Sequence, residues 1–114
     1  MSRDPSYLSD IVEAARLAIG FVEGVSEDQF LNDPMRQAAV VRQLEVIGEA
    51  AKRLSEEFRT AHAEIPWRRI AGMRDILIHA YDHVDLVEVW NVVQRDLPSL
   101  VAALGRFEPH QEDT

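Results

Sequence analysis

Apolar residues recur at spacings of three and four along most of the chain, the period of helices that bury one face. Leu8, Ile11, Ala15, Ala18 and Val22 form the first stripe. Asp4-Pro5-Ser6 opens it, because Asp can cap a helix and Pro suits its first position. Gly24 is its stop signal. Ser26-Glu27-Asp28-Gln29 fits a capping box and predicts one or two turns ending near Asn32.

Asp33-Pro34 starts the clearest helix, in which Val40, Leu44, Ile47, Ala51, Leu54 and Phe58 follow at alternating four and three spacing. Such a narrow seam packs on another long helix at a shallow angle. Glu49 and Arg53 stand at i, i+4 there, by default a weak surface pair. Periodicity stops around 60–64, and Ile65-Pro66 begins a third long helix with a stripe of Ile70, Met73, Leu77 and Ala80. Asp85 with Glu88 resembles the cap of a fourth, where Leu86, Val89, Trp90, Val93 and Leu97 repeat helically. Pro98 should kink or restart that helix, and Gly105 should end it. The tail 108–114 is polar and expected to fray. The pattern holds neither strand-like alternation nor internal repeats. It predicts one all-α domain over 1–114, an antiparallel four- or five-helix bundle.

The 114 residues suit a single core, and 46% apolar against 28% charged is a globular balance. Zero Cys excludes disulfides, thiolate catalysis and thiolate metal sites. No window is apolar enough to span a membrane, and MSRDPSYLSD puts two acids before any apolar run, unlike a secretory signal; the expected compartment is the cytoplasm. Net charge is −8, against bulk attraction to nucleic acid. The charge is uneven, however. From Arg36 to Arg74 eight bases face five acids, +3, which leaves −11 for the remainder. Arg53, Arg68 and Arg69 in this basic stretch are candidate contacts for a polyanion, but on charge alone the favoured reading is ordinary helix surface with mixed charge.

One segment carries chemistry: Met73-Arg74-Asp75-Ile76-Leu77-Ile78-His79-Ala80-Tyr81-Asp82-His83. Arg74 offers a permanently charged, planar fork for phosphate oxygens. His79 can exchange a proton near neutral pH, and Tyr81 supplies a hydroxyl that can donate, attack or be modified. Together they could cleave RNA without a metal. On an ideal helix Arg74 and His79 lie about 140° apart. Either the helix ends or distorts near His79, or a second copy supplies the missing group; a homodimer with a composite cleft is the favoured solution. Taken in isolation, the trio reads first as polar residues flanking a core stripe, with Arg74 paired to an acid and Tyr81 packed with its hydroxyl at the surface. A rival places a metal between His79 and His83, but position 80 is Ala where the zinc-protease pattern needs Glu. Trp67 and Trp90 fall at core spacing, although either ring could stack on a base. His62 and His110 read as solvent-exposed.

Arg74-x4-His79-x-Tyr81 resembles the RX4HXY signature of HepT-like toxins of the HEPN superfamily. The similarity extends through Ile47-Gly48-Glu49-Ala50-Ala51, Ile65-Pro66-Trp67-Arg68, Ile70-Ala71-Gly72-Met73-Arg74, Val84-Asp85-Leu86, Val89-Trp90 and Asp96-Leu97-Pro98. That resemblance implies a homodimeric or higher even helical assembly with metal-independent endoribonuclease activity, tRNA being a plausible target. It implies Arg74 and His79 as catalytic residues, with no cofactor. It also implies a cognate minimal nucleotidyltransferase antitoxin of the MntA type that transfers AMP to Tyr81. Bulk and negative charge beside Arg74 and His79 would then block the cleft. At one position the chain departs, carrying Asp75 where the family often has Asn. A carboxylate there could orient His79 or pair with Arg74, and it adds negative charge where RNA must approach. The competing expectation is a non-catalytic partner subunit that binds a nucleotidyltransferase or a nucleotide.

Overall fold

The computed structural model describes residues 2–78 and 85–107, and all regular structure among them is helical. Helix α1, Asp4–Phe21, buries Leu8, Ile11, Val12, Ala14, Ala15 and Ala18, so the predicted stripe is its inner face. Asp4 does not cap this helix. Its carboxylate instead accepts hydrogen bonds from Ser55 N–H at 2.8 Å and Ser55 Oγ at 2.6 Å. Gly24 ends the following turn at φ +74°, a left-handed conformation that favours glycine.

The capping box forms in full before α2, Glu27–Leu31: Gln29 N–H donates to Ser26 Oγ at 3.1 Å, and Ser26 N–H donates to Gln29 Oε1 at 2.9 Å. Phe30 is fully buried, 5.5 Å centroid to centroid from Trp90. Helix α3, Pro34–Arg53, starts on Asp33, whose carboxylate accepts from Arg36 N–H at 3.1 Å. The Arg36 Nε donates to the Phe21 carbonyl at 2.6 Å, tying the start of α3 to the end of α1. With Asp4 joined to Ser55 at the opposite ends, the two helices run antiparallel. Val40, Leu44, Ile47 and Ala51 fill the seam between them.

The predicted seam extends to Phe58, but the helix does not. Leu54 is extended at φ −61°, ψ 143°, and Ser55 caps a new helix α4, Glu56–Ala61, by accepting from Phe58 N–H at 3.0 Å. Ser55 thus finds partners outside a continuous helix, in Phe58 N–H and the Asp4 carboxylate. Leu54 stays buried across the break. Phe58 packs 4.5 Å from the His62 ring, 5.8 Å from Trp67 and 5.3 Å from Phe107. His62 is therefore half-buried in an aromatic cluster, a correction to its expected exposure. Trp67 is core, as its spacing predicts.

The third predicted helix is also interrupted. Helix α5, Trp67–Ala71, and α6, Met73–Ile78, meet at Gly72, where Asp75 N–H donates to the Gly72 carbonyl at 2.9 Å. Ile70 and Met73 are buried. The burial of the Leu77 side chain on α6 lies outside what is described, and Ala80, His110 and the tail 108–114 lie outside the described residues. Helix α7, Leu86–Asn91, has the predicted cap: Glu88 N–H donates to Asp85 at 3.1 Å. Pro98 acts further upstream than a kink at its own position. The turn before it, Val92–Asp96, is π-helical, and α8, Leu97–Leu104, continues to Gly105. Proline lacks an N–H and crowds the carbonyl four residues back, which a widened turn accommodates. Helix α8 packs on α1, while α5 and α6 pack on α3. No described helix is long and apolar enough to cross a membrane.

Candidate functional site

Arg74 sits in the first turn of α6, and the place where α6 crosses α3 is set by Gly48. A β-carbon on Gly48 would meet the Ala71 carbonyl oxygen at 3.2 Å as well as Arg74 itself, so only glycine admits this approach. One residue on, Glu49 faces Arg74: its Oε1 lies 2.6 Å from Arg74 Nε. Glu49 Oε2 lies 4.0 Å from Nη2 of Arg53, the i, i+4 partner the spacing predicts. One carboxylate thus stands between two guanidinium groups. Both partners of the short contact are partly open to solvent, Arg74 at 37% and Glu49 at 43% side-chain exposure.

Asp75 turns away from this pair. Its Oδ1 is 3.6 Å from Lys52 Nζ, so it does not pair with Arg74 as one expectation had it. The α3–α6 crossing thereby carries two parallel ion pairs, Glu49–Arg74 and Lys52–Asp75. The added negative charge of Asp75 has a cation beside it.

Arg74 lines a cavity of about 320 Å³ between α1, α3 and α6. Arg42 and Arg53 bring two further guanidinium groups to it; Asp10, Glu45 and Glu49 bring three carboxylates, and Tyr7 a phenol. Formal charges in the cavity cancel, so it is not a bulk anion trap, and its chemistry depends on where each guanidinium points. Each of its guanidinium groups offers a planar fork of the kind that grips phosphate oxygens. The sequence reading missed Arg42, Tyr7, Asp10 and the Glu49–Arg74 pair. The available signal was Gly48: glycine inside a strong helical pattern costs stability and usually marks a close backbone approach.

The other RNA-contact candidates separate. Arg53 is exposed beside the cavity, and Arg68 is exposed on α5 with no ion-pair partner among the described residues. Arg69 is engaged elsewhere, its Nε and Nη2 donating to Asp96 Oδ2 at 3.2 and 2.7 Å. That bond lies on the rim of a second, mainly apolar cavity of about 260 Å³ over Ile65, Ile70, Met73 and Leu100. His79 and Tyr81, the other two members of the predicted trio, lie outside the described residues, as do both histidines of the metal reading. Among the described residues no cluster of three His, Asp or Glu side chains is arranged to hold a metal.

Comparison with known proteins gives consistent matches. A family profile described as "Ribonuclease HepT-like" matches residues 11–107. A protein of Thermococcus cleftensis named probable ribonuclease HepT is 48% identical over 102 residues, covering 90% of each chain. A candidate RNase of Caldanaerobacter subterraneus is 44% identical over 94 residues, covering 82% of this chain and 84% of its own. A candidate RNase of Methanocaldococcus jannaschii is 37% identical over 95 residues, covering 83% and 87%. No solved structure matches the chain.

Proposed function

The chain belongs to the HepT-like ribonuclease family, and from that premise we propose that it is a metal-independent endoribonuclease whose working residues are Arg74, His79 and Tyr81. The observation that carries this is the placement of Arg74: a guanidinium held at the first turn of α6 and partly open to a polar cavity, five residues ahead of an imidazole in sequence. His79, as base, takes the proton of a ribose 2′-hydroxyl, whose oxygen attacks the adjacent phosphorus. As the bond to the 5′ oxygen breaks, that oxygen is protonated by an acid, the second His79 of a dimer or water. The products are a cyclic phosphate and a free 5′-hydroxyl. Arg74 binds the non-bridging oxygens and offsets the charge that builds on them. No step needs an oxidant, a reductant or a metal.

A two-fold homodimer would bring Arg74 and His79, which an ideal helix would set about 140° apart, over a single linkage. Tyr81 is the regulatory hydroxyl, adenylated by a cognate minimal nucleotidyltransferase antitoxin. Arg53 and Arg68 contact flanking phosphates, and tRNA is the substrate class. The relatives named as ribonucleases support the reaction class. The test is cleavage of RNA in EDTA. Protein with unmodified Tyr81 should cut, and His79→Ala should not; equal cleavage by both would falsify the assignment. Intact mass after co-production with the antitoxin should show adenylate gains that Tyr81→Phe abolishes.

The cancelling charges of the cavity favour one second reading, a non-catalytic subunit that binds a nucleotidyltransferase or nucleotide. It predicts no cleavage at any pH and a complex that survives loss of His79.

A further inference from the structure

We propose that Glu49 is a positioning residue that aligns the Arg74 guanidinium for phosphate, an inference that rests on the nuclease reading of Arg74. The close approach is through Nε, 2.6 Å from Glu49 Oε1. Nε is the inner nitrogen of the guanidinium, so the contact leaves the outer Nη1/Nη2 edge as the fork that can grip two phosphate oxygens. Glu49 is itself oriented. Its second oxygen faces Arg53 Nη2 at 4.0 Å, and its backbone is fixed by the Gly48 crossing.

An arginine at 37% exposure on four rotatable bonds would otherwise sample many directions. An ion pair this exposed adds little to folding stability. Holding one edge of the guanidinium presents the other without an ordering cost as charge builds on the phosphate oxygens in the transition state. The charge of Glu49 opposes RNA approach in the ground state. Its value lies in alignment, so its loss should appear chiefly in turnover.

The experiment measures kcat and KM for a defined RNA oligonucleotide in EDTA, using the full chain as wild type, Glu49→Gln, Glu49→Ala, Arg74→Ala and the Glu49→Ala/Arg74→Ala double variant. Nitrogen-edited NMR of the arginine Nε–H groups accompanies it, with the Arg74 signal assigned by its loss in Arg74→Ala. Loss of one contact to a charged group corresponds to about a 10- to 100-fold effect. Glu49→Ala should lose that much kcat with KM nearly unchanged, and Glu49→Gln, which keeps an acceptor oxygen, should recover part of it. The double variant should be no worse than Arg74→Ala alone, and the Arg74 Nε–H signal should move in Glu49→Ala. Unchanged or faster turnover in Glu49→Ala overturns the inference while leaving the nuclease reading standing, since Glu49 would then merely compete with phosphate. Should the wild type cut nothing, the nuclease reading fails on its own. The NMR signal then decides the alignment, and an unshifted Arg74 Nε–H in Glu49→Ala overturns it.

Discussion

A β-carbon placed on Gly48 would lie 2.6 Å from Cβ of Arg74 and 2.9 Å from its backbone nitrogen. Both are rigid atoms, so neither can swing aside, and the α3–α6 crossing would have to open. Two effects oppose each other in Gly48→Ala. Helix propensity favours alanine by about 1 kcal/mol, while overpacking of this kind costs about 1–3 kcal/mol. The clash should win, giving a lower melting temperature in a thermal scan and slower RNA cleavage, because the Arg74 backbone moves with the helix. A variant as stable and active as the wild type would show that the crossing adapts freely.

Arg74→Lys separates charge from shape. Lysine keeps the positive charge but has no planar fork and no Nε to meet Glu49 at 2.6 Å. Cleavage should fall at least about tenfold, the size of one charge-assisted contact, while the melting temperature stays close to wild type because the side chain is partly exposed. Equal rates for the two residues would mean that only net charge matters at this position.

Much of this architecture is readable in the sequence because apolar period and capping chemistry are local signals. The Ser26–Gln29 box, the Asp33 and Asp85 caps and the buried stripe of α1 all form where the pattern places them. The misses at Ser55 and His62 share one cause, partners distant in sequence. Ser55 breaks the second long helix in company with Asp4, 51 residues away. His62 is covered partly by Phe107, which no local window connects to it. At the site, the residue type and motif single out Arg74 as a candidate, and the structure sets it on a polar cavity. Its pairing with Glu49 was not legible, because helical spacing offered Glu49 a nearer partner in Arg53.

The Asp4–Ser55 contact should make stability pH-dependent. Burial works against the Asp4 charge, but hydrogen bonds from the Ser55 hydroxyl and N–H outweigh it and hold its pKa below the ordinary carboxylate value. A depressed folded pKa gives stability that is present above the unfolded value of about 4 and is lost as pH falls through the lower folded value. Ser55→Ala removes a cap as well as this partner, and should cost about 1–2 kcal/mol near neutral pH in denaturant unfolding. Its deficit should shrink as the solution is acidified, since the wild type then loses the same bond. A deficit constant down to pH 2 would place the effect in the cap of α4 alone.

Exposure and pairing rank the candidate RNA contacts differently from sequence position. Arg42 and Arg53 share the Arg74 cavity, and the Arg53 contact to Glu49 is long at 4.0 Å. Arg69 is held by two nitrogens on Asp96 beside another cavity. Single-stranded RNA releases about 0.7 counterion per phosphate neutralised, so each lost contact should flatten a plot of log affinity against log salt by about that slope. Arg42→Glu and Arg53→Glu should each weaken binding and flatten the plot. Arg69→Glu should leave the slope alone and lower the melting temperature instead, because it sets two carboxylates against each other across α5 and the turn before α8. Binding by fluorescence anisotropy at four or more salt concentrations, with a melt of each variant, separates the two outcomes. A flattened slope for Arg69→Glu with no change for Arg53→Glu would move the RNA path to the opposite cavity and detach it from Arg74.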